Sequence, residues 1–180
     1  YYLIEDQSEP TNFSVPTGNF GDVYAGYVAK KMGLPINKLI VATNQNDILH
    51  RAISNGNYEA ETVSETISPS MDIQIASNFE RLIFDLNNKN SEQTSKDMMK
   101  IKEEGKYSID HEKLNLINQD FLSARMSETE TLDVIKSVYE EFDIVLDPHT
   151  AIGYGAFDKH DLNGNNIVLA TAHPCKFPDA

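Results

Sequence analysis

Apolar positions along this chain alternate between short unbroken runs and helically spaced stripes. Asn12-Phe13-Ser14-Val15-Pro16 is short, part apolar and closed by proline, which predicts the end of a strand. Thr17-Gly18-Asn19-Phe20-Gly21-Asp22 then reads as a turn-forming loop. From Val23, apolar residues at Val23, Tyr27, Val28 and Met32 follow helical spacing. Asp22 is placed to cap that helix, and Gly33 with Pro35 to end it. Lys38-Leu39-Ile40-Val41-Ala42 predicts a buried strand, followed by a polar loop and a helix from Asp47 to about Ser54 that stops at Asn55-Gly56. This strand–loop–helix order predicts an α/β fold with a parallel sheet and helical crossovers, so ligands are expected at the carboxyl ends of the strands.

Further along, residues 71–86 carry Ile75, Phe79, Leu82, Ile83 and Leu86 at helical spacing after the Ser68-Pro69-Ser70 break, which predicts one amphipathic helix. Polar residues crowd residues 87–105, and the wider stretch 87–132 reads as a helical, insertion-like segment. Residues 128–142 predict a helix with Thr131, Ile135, Val138 and Phe142 facing inward. Ile144-Val145-Leu146 predicts a short buried segment, and Asp147-Pro148 the start of another helix. Ile167-Val168-Leu169-Ala170 predicts a last buried strand, ending at Thr171. No linker divides the chain, so residues 1–180 read as a single α/β region.

Composition narrows the function. Fifteen Lys plus Arg against 28 Asp plus Glu give a net charge of −13, which disfavours nucleic acid and anionic membrane surfaces as partners. No apolar run approaches a membrane span and no signal pattern is visible, so a cytoplasmic location is expected. The single Cys175 excludes an internal disulfide framework, and five scattered histidines show no metal spacing, so no metal site is expected. His149 and His173 are candidates for acid–base work, though neither has a visible partner in sequence.

The residues that best carry chemistry are Gly18, Asn19, Phe20, Gly21 and Asp22. Glycines let a ligand come close, and the N–H groups of a helix N-terminus attract anions without any Lys or Arg. The same loop also reads as a tight turn with Asp22 as its cap. It is neither a Walker A loop nor a dinucleotide fingerprint. Thr171, after the last strand, could offer a hydroxyl to a ligand or satisfy its own turn.

Several ordered blocks carry a family resemblance. Phe13 to Asp22 with Ala25-Gly26-Tyr27, Met32-Gly33-Leu34-Pro35, Ala42-Thr43-Asn44-Gln45-Asn46-Asp47-Ile48-Leu49 and Ser68-Pro69-Ser70-Met71-Asp72-Ile73 resemble threonine synthases. So do Ser77-Asn78-Phe79-Glu80-Arg81, Asp147-Pro148-His149-Thr150-Ala151 and Thr171-Ala172-His173-Pro174-Cys175-Lys176-Phe177. The resemblance runs from residue 13 to 177 and is poor from 87 to about 132.

What the resemblance implies is an enzyme of the tryptophan-synthase-β-like fold, fold type II, dependent on pyridoxal 5'-phosphate. Such enzymes convert O-phospho-L-homoserine and water to L-threonine and phosphate. By resemblance, Gly18, Asn19, Phe20, Gly21 and Asp22 cup the cofactor phosphate and Thr171 faces its ring nitrogen, leaving the ring a weaker electron sink suited to elimination and replacement. The asparagines of residues 42–47, Ser68, Ser70 and Arg81 fall in blocks that border the active site. The family's Schiff-base lysine lies well upstream of the glycine loop, whereas none of the 17 residues before Gly18 is Lys. The expectation is a carboxyl-terminal part of such an enzyme, with a missing N-terminal part of the same protein as its partner and no activity on its own. The alternatives are a non-catalytic phosphate-ligand-binding module and a structural α/β domain whose glycine loop is only a turn.

Overall fold

In the computed structural model, which describes Ile4 and residues 8–178, Thr11–Pro16 forms strand β1 and Gly21–Lys31 helix α1. Strand β2, Ile36–Thr43, follows, then helix α2, Ile48–Asn55, and the short strand β3, Asn57–Glu59. Helices α3, Phe79–Leu86, and α4, Ser91–Glu104, lead to strand β4, Lys106–Ser108. Helix α5, His111–Asp120, runs straight into strand β5, Phe121–Arg125. Helices α6, Glu128–Phe142, and α7, Pro148–Gly155, precede strand β6, Asn165–Val168.

Four of these strands make one parallel sheet in the order β5-β2-β1-β6, and β3 and β4 form a separate antiparallel pair. Alternate β2 residues point to opposite faces, so each face builds its own core. Leu39 and Val41 join α1, α2 and α3 on one side, where Phe20, Phe79 and Phe121 meet. Ile40 and Ala42 join Met71, Ala124 and Ile152 of α7 on the other. Parallel strands buried on both faces read as continuous apolar runs, which is why β2 is legible in the sequence.

Several expectations differ from the structure. The first helix begins at Gly21, so Asp22 lies inside its first turn. The cap position belongs to Phe20, which is left-handed at φ 65° and makes no side-chain cap bond. The helix expected over 71–86 forms only from Phe79. Ahead of it, Pro69–Met71 is a 3-10 turn. The N–H groups of Ala76, Ser77 and Asn78 go instead to Tyr58 Oη, Asn19 Oδ1 and Asn19 O, at 2.8, 2.5 and 3.3 Å, so no helical turn is needed to satisfy them.

The stretch 87–132 is not simply a helical insertion, because β5 within it is a member of the main sheet, paired with β2. Ile144 and Val145 are exposed rather than buried, following a left-handed Asp143 that ends α6, and Phe142, expected to face inward at the end of that helix, is exposed as well. The last strand falls at Asn165–Val168, two residues earlier than expected. It is only half-buried because, among the described residues, β6 has a neighbour, β1, on one side alone.

Candidate functional site

The carboxyl ends of β1, β2 and β6 converge on the loop that joins β1 to α1. Thr17 closes β1 by donating its N–H to Ala42 O at 2.8 Å and its hydroxyl to Val15 O at 2.6 Å. Beyond it, the backbone N–H groups from Gly18 to Val23 find no acceptor among the described residues, while Tyr24 N–H opens the helical ladder on Phe20 O. Free donors at the positive end of a helix dipole are chemically suited to an anion without any charged side chain.

The left-handed Phe20 makes this loop possible. A non-glycine residue at φ 65° costs of the order of 1–2 kcal/mol. Its ring offsets that cost by complete burial, packed edge-on to Phe79 at 5.1 Å and against Phe121 at 5.8 Å. Of the five loop residues, Phe20 can therefore offer a ligand only its backbone. Asn19 is similarly committed: its Oδ1 accepts from Ser77 N–H and Oγ–H, and its carbonyl from Asn78 Nδ2 at 3.1 Å. The Asp22 side chain lines a different, apolar groove of about 350 Å³ with Val15, Ala25, Gly26, Leu39 and Leu169. Only its N–H remains for an anion.

Gly18 rests on the neighbouring turn. A Cβ there would stand 2.4 Å from Ser70 O, so a side chain is excluded. That turn is held from two sides. Ser70 N–H donates to His149 Nε2 at 3.2 Å, and His149 Nδ1 meets Asp147 Oδ1 at 3.0 Å. A donor N–H at Nε2 and a carboxylate at Nδ1 select the tautomer protonated on Nδ1. His149 is thus buried and structural, while Asp147 also caps α7 through His149 N–H and Thr150 N–H.

On the β2 side, Asn44 Nδ2 reaches Thr66 Oγ1 and Ser68 Oγ, both at 2.9 Å, and Asp72 Oδ1 at 2.8 Å. Asp72 also accepts from Asn46 Nδ2 at 2.9 Å, Thr66 Oγ1 at 2.7 Å and Thr66 N–H at 2.8 Å. The sequence points to these asparagines and serines but not to Asp72, which joins them. The visible signal is a carboxylate close after a Thr-x-Ser-Pro turn, whose hydroxyls and amides need an acceptor.

Thr171 lies three residues past β6, exposed, and its hydroxyl has no partner among the described residues. It follows the strand next to β1, beyond the same sheet end as the glycine loop. Arg81, in the first turn of α3, lines a cleft of about 550 Å³ with Tyr24, Asn78, Ser91 and Ser95. Its guanidinium lies 5.8 Å from the Tyr24 ring. Burial, then the Asp85 carboxylate, raises the Tyr24 phenol above its ordinary range and keeps it a neutral donor. This cleft meets the glycine loop through Ser77 and Asn78, which bond to Asn19, and through Tyr24, whose N–H donates to Phe20 O. His173 accepts from Cys175 N–H and caps a 3-10 turn, so it is not brought to the loop by any bond.

Comparison with known proteins bears on this geometry. A family model described as "Threonine synthase, C-terminal" matches residues 150–180. The threonine synthase of Pseudomonas aeruginosa is 46% identical over 170 residues, covering 93% of this chain and 36% of that protein. A solved structure of PLP-bound threonine synthase from Brucella melitensis has a TM-score of 0.93 at 46% identity, over 97% of this chain and 38% of that one. A threonine deaminase from T.th., 13% identical with a TM-score of 0.56 over 91% of this chain and 48% of that one, shares the fold alone. The chain spans well under half the length of the threonine synthases it matches.

Proposed function

This chain belongs to the threonine synthase family, and we propose that it supplies the phosphate-anchoring half of a pyridoxal 5'-phosphate site in an enzyme that converts O-phospho-L-homoserine and water to L-threonine and phosphate. The observation that carries the reading is the run of N–H donors from Gly18 to Val23 left without acceptors at the start of α1. They fit a cofactor phosphate in a protein of net charge −13, where local dipoles must do what side-chain cations do elsewhere.

In this reading Gly18, Asn19, Phe20, Gly21 and Asp22 bind the phosphate through their backbone, and the Asn19 side chain holds the loop's shape through Ser77. Thr171 offers its free hydroxyl to the ring nitrogen. When bound, the cofactor supplies the electron sink for loss of the substrate's phosphate group and its replacement by water. The lysine required to hold the cofactor is assigned to the part of the protein that this chain does not span. Lys30, Lys31 and Lys38 are engaged at the far end of β2, with Asp120, Asn37 O, Asn118 O and Gln119 O. A cytoplasmic location belongs to the same proposal, and no described helix is long and apolar enough to cross a membrane.

The test is turnover by the full-length protein. With pyridoxal phosphate and O-phospho-L-homoserine it should release threonine and inorganic phosphate in equal amounts. Cofactor binding without turnover of that substrate would favour a non-catalytic phosphate-binding module instead.

A further inference from the structure

We infer that Asp72 and His149 are positioning residues for the phosphate cup, acting through the turn at residues 68–71 on which Gly18 rests. The inference builds on the function proposed above. Neither residue bonds to the loop. What they share is the turn between them and the loop's dependence on it.

The dependence is steric. Gly18 approaches Ser70 O so closely that even a methyl group would lie 2.4 Å from it, and the Met71 Cα would be 3.4 Å away. The loop's N–H groups therefore point where the turn lets them point. The turn has little regular structure of its own: Met71 N–H returns to Ser68 O and Asp72 N–H to Pro69 O, a single 3-10 turn. A turn that short is fixed by its surroundings.

Those surroundings are two polar clamps on opposite sides. His149, 3% exposed and bonded to a buried Asp147, presents Nε2 to Ser70 N–H. Asp72 gathers Asn44 and Asn46 from the end of β2 and Thr66 from the far side of the turn. Met71 locks the middle by burying its side chain beside Ile40 and Ala42. One clamp ties the turn to α7 and the other to β2, so the cup's floor is registered to both. A displacement of a few tenths of an ångström there is passed directly to the N–H of Gly18, because a contact this close cannot absorb it.

The experiment compares pyridoxal phosphate with pyridoxal, which lacks the phosphate, as ligands of the full-length protein. In Asp72→Asn and His149→Gln, affinity for pyridoxal phosphate should fall about tenfold while affinity for pyridoxal stays as in the wild type. A purely structural role would lower the melting temperature and weaken both ligands together, and that result overturns the inference. A double-mutant cycle sharpens it. Gly18→Ala lifts the loop off the turn, so His149→Gln should cost no further pyridoxal-phosphate affinity in that background. Additive losses would contradict the coupling. Should these substitutions prevent folding, Thr66→Val removes one donor to Asp72 with little change of shape and should give the same ligand selectivity in a milder form. Equal wild-type affinity for the two ligands would overturn the proposed function itself, and this inference with it.

Discussion

A Cβ added at Gly18 would sit 2.4 Å from Ser70 O, whereas one added at Gly21 meets only Asn78 Nδ2 at 3.5 Å. Gly21→Val is therefore a clean probe of the space in front of the loop. In the full-length protein the fold should survive, with a loss of affinity for pyridoxal phosphate of about tenfold, roughly 1.4 kcal/mol, by equilibrium titration. Unchanged affinity would count against the cup. Thr171→Val keeps shape and removes the free hydroxyl; the expected result is cofactor still bound, with turnover reduced at least tenfold in a steady-state assay. The residue scale also shows what a motif hides. The run Gly18 to Asp22 suggests an anion loop in sequence, but the division of labour within it is not visible there. Phe20 is a core anchor in a left-handed conformation that sequence assigns to Gly or Asn, because its ring finds Phe79 and Phe121, residues far away in the chain. Asp72 escapes notice for the same reason: its partners span residues 44 to 66.

At the scale of elements, α6 tests how local chemistry fixes a boundary. Ser127 Oγ accepts from Glu130 N–H while the Glu130 carboxylate reaches back to Ser127 N–H, a reciprocal cap, and Glu130 also pairs with Lys159. Ser127→Ala should cost about 1 kcal/mol in denaturant unfolding. The hydrogen bond from Lys159, then those from Ser127, hold the Glu130 carboxyl down at about 2. A lowered folded-state value means the charge contributes stability above the ordinary glutamate range and loses it as pH falls from about 4.5 toward 2. Glu130→Gln should thus melt below the wild type at pH 7, by the modest margin of a half-exposed pair, with the gap closing below pH 4.5. An unchanging gap would mean the charge plays no part. Such local signals make the bounds of α6, and the starts of α2 and α7, readable in sequence. β5 is not, because Phe121-Leu122-Ser123-Ala124-Arg125 has neither alternation nor a β-branched residue, and it becomes a strand by pairing with β2. The helix expected over 71–86 fails where Tyr58 and Asn19 take the N–H groups of residues 76–78.

Across the whole molecule, the parallel sheet separates two ends with different chemistry. Lysines cluster at the amino end of β2, neutralised by Asp120 and by the carbonyls that close α5. The carboxyl end gathers the uncharged donors of the glycine loop, the Asp72 and His149 clamps and the free Thr171 hydroxyl. That polarity follows from the parallel topology and is legible once β1, α1 and β2 are read in order. The most direct measurement is a crystal structure of the full-length protein with pyridoxal phosphate. Phosphate oxygens should lie about 2.7–3.2 Å from backbone nitrogens between Gly18 and Asp22, with the Thr171 hydroxyl facing the ring nitrogen. A cofactor phosphate bound elsewhere, with the N–H groups of that loop turned to protein or water, would contradict it.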